Sequence, residues 1–252
     1  MKKLILAGLV IITMAVCGYK SEGDKALEEA KKLRNSQRYT QAIELLTKAI
    51  EKSPNHAGLF YERGYCYHHE GYSDEAMNDF TNSIRIDNKY ADGYYGTAMI
   101  YRDGRKYDLA ETNLNKAIEF AKDNEEKAKY LSGLASLYNS KKDYSKAIEY
   151  INEAIKLNDM SDFYNTLGLS LIANNQKKEA EEAWLTGIKK DNFKQIEYKH
   201  HIYRHLASYY YNDGKYDEAA NYIEKALELS PGNERYLNLL NDIKRKMQAR
   251  PK

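Results

Sequence analysis

Cysteine is scarce in this chain: 252 residues hold two, Cys17 and Cys66. Two thiols cannot build a disulfide framework. Proline occurs three times and glycine fourteen times, too few for a Pro/Gly-rich disordered or collagen-like chain. Charge of one sign is lacking too, the formal net charge being +2. A nucleic-acid binder should carry a basic excess or a basic stripe. Here only the terminal KRKMQARPK is basic, and it reads as a solvated helix end. No phosphate-binding glycine loop, HExxH zinc pair or GxSxG nucleophile elbow occurs. The expectation is a non-enzyme with no cofactor, no metal, no nucleic-acid partner and no small-molecule substrate.

What is present points to helices. Charged residues make up 30% of the chain, and tyrosine reaches 24 copies against five Phe and one Trp. Tyrosine covers apolar area while keeping a polar tip, which suits half-exposed helix surfaces.

The N-terminus reads MKKLILAGLVIITMAVCGYK. Lys2 and Lys3 precede an uncharged, mostly apolar run from Leu4 to Val16. A membrane-spanning helix needs about 20 apolar residues, so this run reads as the core of a signal peptide. Cys17 sits where the run ends, and Met14-Ala15-Val16-Cys17 resembles a bacterial lipobox. That resemblance implies a signal peptide over 1–16 and lipid attachment at Cys17, followed by a short tether over 17–22. Gly18 after the cysteine is compatible with sorting to the outer membrane, facing the periplasm. An ordinary secretory signal and an uncleaved anchor remain alternatives. Without Lys2 and Lys3 the acidic and basic residues balance.

The rest of the chain repeats itself. Six segments align on Ala42, Ala76, Ala110, Ala147, Ala180 and Ala219, with spacings of 34, 34, 37, 33 and 39. Twelve residues before each alanine stands a small residue: Ala30, Gly64, Ala98, Ala135, Gly168 or Ala207. Four residues after it stands a large one: Leu46, Phe80, Leu114, Ile151, Trp184 or Ile223. Stretches such as NDGKYDEAANYIEKALELSP and YRDGRKYDLAETNLNKAIEF carry the pattern most fully. It resembles the tetratricopeptide repeat, a helix–turn–helix unit. The resemblance implies an all-α, right-handed superhelical solenoid, with repeats over about 23–56, 57–90, 91–124, 128–160, 161–194 and 200–233. Small residues let the two helices of a repeat approach, and large ones fill the gaps between repeats. The long spacings predict extra residues near 121–127 and 190–199, as a longer helix or a longer loop. Residues 234–252 read as a capping helix and basic tail, with Tyr236, Leu237, Leu240, Ile243 and Met247 on one face. Asp24 is the expected N-cap of the first helix.

In this family the first helices of successive repeats line a groove that binds peptides or protein segments. Carried over position by position, the resemblance offers Tyr61, Tyr65, His68, Tyr95, Met99, Arg102, Arg204 and Tyr211 as partner-binding residues. In the fifth and sixth repeats it also places Asp162, Asn165, Leu169, Ile172, His201, Ser208 and Asn212 at groove positions. The Lys/Asn/Arg clamp by which some relatives hold chaperone tails is absent: its positions read Leu27, Lys31, Tyr61, Tyr65, Tyr95 and Met99. The implied function is a non-catalytic scaffold or adaptor of the bacterial cell envelope that binds a protein or peptide and meets the membrane through lipid. A soluble or inner-membrane-anchored co-chaperone is the alternative.

Two stretches look chemical. GYCYHHEG packs Cys66, His68, His69 and Glu70 together. On a helix, however, residues two apart point about 200° from each other, so Cys66 and His68 cannot share a ligand. Cys66 reads as a small hydrophobe and the histidines as groove rim. His201 and His205, four apart, could share a face, yet two ligands make no closed metal site. They read as a solvated or weakly polar helix start.

Overall fold

The computed structural model describes residues 20–190 and 199–249. The signal segment 1–16 and Cys17 lie outside them. Thirteen helices are described: α1 (Glu22–Asn35), α2 (Tyr39–Lys52), α3 (Ala57–His69), α4 (Ser73–Ile86), α5 (Ala91–Asp103), α6 (Tyr107–Glu119), α7 (Asn124–Lys141), α8 (Tyr144–Leu157), α9 (Ser161–Ala173), α10 (Lys177–Lys189), α11 (Lys199–Asn212), α12 (Tyr216–Leu229) and α13 (Glu234–Gln248). The described residues form two compact units that divide after Phe120. No helix among the described residues is long and apolar enough to cross a membrane.

Each odd-numbered helix up to α11 forms an antiparallel pair with the helix that follows it. The turns share one geometry. Gln37, Gly71, Arg105, Lys142, Asn175 and Gly214 each hold a positive φ, between 56° and 86°. One residue later the backbone amide donates to the carbonyl five residues back: Arg38 to Leu33, Tyr72 to Tyr67, Lys106 to Tyr101, Asp143 to Tyr138, Gln176 to Leu171 and Lys215 to Tyr210. This is the Schellman arrangement that satisfies the last carbonyls of a helix. Only two of the six positions are glycine, so the other four residues bear the steric cost of the left-handed region. In the third repeat the glycine of DGRKY, Gly104, lies one residue before the position that needs it, and Arg105 takes φ 58°.

The core is made by the small-against-large pattern. Ala42, Ala76, Ala110, Ala147, Ala180 and Ala219 are all fully buried. In the first unit Phe80 is fully buried between α3 and α5. A Cβ on Gly64 would come within 2.9 Å of its ring, and one on Gly96 within 2.4 Å. In the second unit a Cβ on Gly168 would come within 2.2 Å of the Trp184 indole nitrogen. These glycines supply closeness of approach, which no side chain could allow without displacing a buried ring.

Charges also enter the first unit's interior. Arg63 on α3 makes a fork to Asp79 on α4, at 2.8 and 2.9 Å, and donates to Thr47 on α2 at 3.2 Å. Asp79 is 1% exposed. Burial pushes its carboxyl up although the Arg63 guanidinium pulls against it. Removing either partner would strand a buried charge, so the pair fixes how α3 sits between α2 and α4.

Several expectations are corrected. The first helix is capped by Ser21, not Asp24; Asp24 sits three residues on and completes a capping box. Helix α1 therefore begins at Glu22, inside the expected tether. The extra residues near 121–127 lengthen a helix: α7 has 18 residues and starts at Asn124, four before the expected repeat boundary, behind an Asp123 cap. The extra residues near 190–199 fall on 191–198, outside the described residues. In α13, Tyr236 and Ile243 are buried, but Leu237 is 41% exposed, off the packed face. Leu239 takes its place against the core.

Replacing Arg105 with glycine should stabilise the protein by about 1 kcal/mol, because the residue already holds a left-handed backbone. A urea-denaturation midpoint that rises for Arg105→Gly is the expected result; one that stays or falls would contradict it.

Candidate partner-binding surfaces

Within each unit, the first helices of successive repeats touch one another: α1 with α3 and α3 with α5, then α7 with α9 and α9 with α11. Their side chains therefore make a continuous face in each unit, and the candidate residues are placed on it unevenly.

In the first unit Tyr61 does not lie open on that face. It is 4% exposed, with its ring 5.8 Å from Phe80 and 6.1 Å from Tyr90. Burial pushes its hydroxyl well above the usual tyrosine range. The groove position is real on the helix, but the side chain turns into the inter-repeat core, so Tyr61 is a packing residue. Tyr65, one turn on, is half-buried and carries the Arg34 guanidinium 5.1 Å above its ring. The His69 ring lies 4.6 Å from Tyr65 and stacks on Tyr39 at 4.8 Å. Arg34 also meets the buried Glu62 at 3.4 Å.

His68 links two repeats. Its Nε2 lies 2.8 Å from the Asp103 carboxylate on α5, and Arg102 donates to the same carboxylate at 2.9 Å. Burial pushes the Asp103 carboxyl up, but the bonds to His68 and Arg102 outweigh it and hold the group low. Tyr95 and Met99 are half-buried on α5. Tyr65, His68, Tyr95, Met99 and Arg102 thus offer rings, a thioether and fixed hydrogen-bonding groups on α3 and α5. Cys66 is fully buried, and burial pushes its thiol up to about 12, so it is packing and not a nucleophile.

In the second unit the corresponding face is polar on α7 and mixed on α9 and α11. Asn139 donates to Ser170 at 2.8 Å across the repeat boundary. Asp162 is half-buried, and burial alone raises its carboxyl to about 6. Arg204 is turned toward His205, 2.7 Å from its Nε2. Tyr211 packs on Tyr216 at 5.6 Å and joins the core under the capping helix. Neither is among the residues that line the cavity at Trp184.

That cavity, of about 280 Å³, opens between α9, α10 and α11. Four of the expected groove positions line it: Leu169, Ile172, Ser208 and Asn212. Lys177, Trp184, His205, Tyr209 and Asp213 complete it, and the repeat pattern places none of these five there. The repeat pattern marks Trp184 as a knob between repeats, which it also is. His205 and Tyr209 lie off the groove stripe of α11, turned toward α10, and no periodicity marks that. At the start of α11 His201 is exposed and His205 half-buried, whereas the neighbouring His200 is 8% exposed and meets the Tyr236 hydroxyl at 2.7 Å. Among the described residues no group of three or more His, Cys, Asp or Glu could hold a metal.

Known proteins share this architecture. Family profiles described as tetratricopeptide repeat match residues 27–92, 89–159 and 200–233. Anaphase-promoting complex subunit 3 of Schizosaccharomyces pombe is 23% identical over 84% of the chain and 33% of its own length. Human DnaJ homolog subfamily C member 7 is 31% identical over 51% of the chain and 26% of its own length. The chain thus spans about a third or less of these curated relatives. A tetratricopeptide repeat protein from Parabacteroides merdae superposes with a TM-score of 0.69 at 15% identity, covering 86% of this chain and 82% of that one. The Pseudomonas aeruginosa pilF structure gives 0.58 at 16% identity, covering 87% and 97%. With matches spread from residue 27 to residue 233 over paired helices that share one turn and one packing rule, the chain belongs to the tetratricopeptide-repeat family.

Proposed function

We propose that this chain is a non-catalytic scaffold that holds a protein or peptide segment against its first-helix faces, as part of a membrane-associated assembly. The observation that carries the reading is the set of half-buried side chains on α3 and α5. Tyr65, Tyr95, Met99 and Arg102 are each held by the fold yet partly open to a partner. Tyrosine and arginine are the residue types that dominate protein interfaces, and methionine adapts to irregular partners. The envelope setting rests on the sequence Met14-Ala15-Val16-Cys17 behind a short apolar run. It would tether the first repeat close to a membrane surface, and more than one acyl chain would make that tether stable.

A co-chaperone reading is favoured by the 31% identity to DnaJ homolog subfamily C member 7 over half the chain. The missing tail clamp argues against a receptor for chaperone C-termini of the usual kind.

Photo-crosslinking in cells from a probe amino acid at Met99 tests the scaffold reading. A discrete protein partner should be captured. The combined variant Tyr65→Ala, Tyr95→Ala, Arg102→Ala should lower its capture at least about tenfold while the helical circular dichroism stays unchanged. Undiminished capture by the folded triple variant sinks this assignment of the surface. A mass spectrum of the same purified protein separates the settings: an acyl-glyceryl group on Cys17 supports the envelope reading, and an intact Met1 overturns it.

A further inference from the structure

The cavity beside α10 in the second unit has more chemistry than a packing gap. Trp184, 2% exposed, forms its floor. The His205 ring stacks on the indole at 5.7 Å and 8°, and the Tyr209 ring meets it edge-on at 6.2 Å and 64°. Leu169 and Ile172 close the opposite wall from α9. Its volume, about 280 Å³, falls just short of the range of small-molecule pockets, about 300 to 1,000 Å³. That is room for one large side chain and too little for a bulky cofactor. Mixed aliphatic and aromatic walls suit an aromatic ring, which gains edge and face contacts beyond its area.

The rim decides what stands next to that ring. Lys177 and Asp213 both reach it. Asp213 is already held by Lys215 at 2.7 Å, and that bond keeps its carboxyl low. Tyr209 is turned outward to Glu181, to which its hydroxyl donates at 3.2 Å. His205 stays neutral, because burial, with Arg204 beside it, pushes it down to about 3. Lys177 makes no direct salt bridge among the described residues; its charge reaches Asp213 and helps to hold that carboxyl low, but Lys215 is the cation bonded there, so Lys177 is the rim cation open to an incoming carboxylate. Ser208 and Asn212 add a hydroxyl and an amide on α11.

We infer that this cavity is a specificity pocket that takes an aromatic side chain of a bound protein segment, with the neighbouring acidic residue of that segment paired to Lys177. The inference rests on the protein-binding reading and names the chemistry of one contact within it. It assigns selectivity to residues of α10 and α11, apart from the Tyr65–Arg102 surface of the first unit.

Trp184 is the only tryptophan in the chain, so its emission reports on the pocket directly. The probes are N-acetylated, C-amidated peptides in which Phe is followed by Glu, Phe by Lys, or Ala by Glu. Titrated into the full chain at low salt, the Phe-Glu peptide should shift Trp184 emission and bind about tenfold more tightly than either of the others. Lys177→Glu, a change at an exposed position, should reverse the order and make Phe-Lys the better ligand. Ile172→Phe, which adds no second indole, should fill the cavity and abolish all binding, and the Lys177 variant keeps the test open if that one fails to fold. Equal binding of Phe-Glu and Phe-Lys, an order unmoved by Lys177→Glu, or no binding by any peptide would overturn the proposal. If the partner crosslinked at Met99 is still captured by Lys177→Glu with undiminished yield, the pocket inference fails while the scaffold reading stands.

Discussion

The close approach of a small residue to a large one, repeated between helices, is the constraint on which the rest of this molecule depends. Gly64 and Gly96 lie against Phe80, and Gly168 lies against Trp184. Each pairing sets the distance between two helices to what a bare backbone permits. Side-chain burial then follows, because the fully buried alanines on the second helices leave no space to fill. A single repeat exposes its apolar face, so the pairing has to recur for any repeat to be stable. The buried Arg63–Asp79 fork adds direction to this packing in the first unit.

Function is a by-product of the same geometry. Because the first helices touch their neighbours, one face of every repeat is left to carry side chains that the core does not need. Tyr65, Tyr95, Met99 and Arg102 are neither free nor fully committed: rings, ion pairs and neighbours hold them half-open. Such side chains lose little entropy on binding, which is the condition for a useful anchor. Trp184 shows the coupling most directly. Its indole, 2% exposed, packs against Gly168 in the core and also forms the floor of the aromatic cavity.

The periodicity carried most of the fold, since a six-fold recurrence of alanine, small and large positions leaves few ways to pack. What it did not carry is instructive. Arg105 takes the left-handed turn position although Gly104 stands beside it, because the turn geometry is fixed by counting from Tyr101 and not by residue type. Tyr61 sits at a groove position yet turns inward, because Phe80 and Tyr90 offer its ring a packing site that periodicity cannot report. The cavity at Trp184 was half-legible: Leu169, Ile172, Ser208 and Asn212 follow from the repeat, whereas His205 and Tyr209 depend on how α11 is rotated against α10. The Ser21 cap was hidden because serine and aspartate both suit the role, and only the bond from the Asp24 amide to the Ser21 hydroxyl decides it.

A double-mutant cycle between Gly96 and Phe80 tests the central constraint most directly. Gly96→Ala alone forces a methyl against a buried ring and should cost about 1–3 kcal/mol in urea denaturation. Phe80→Leu alone should cost a comparable amount through lost packing. If the close approach governs the stack, the two together cost less than their sum by roughly 1 kcal/mol or more, since the smaller side chain makes room for the methyl. Costs that simply add, to within about 0.5 kcal/mol, would contradict the account.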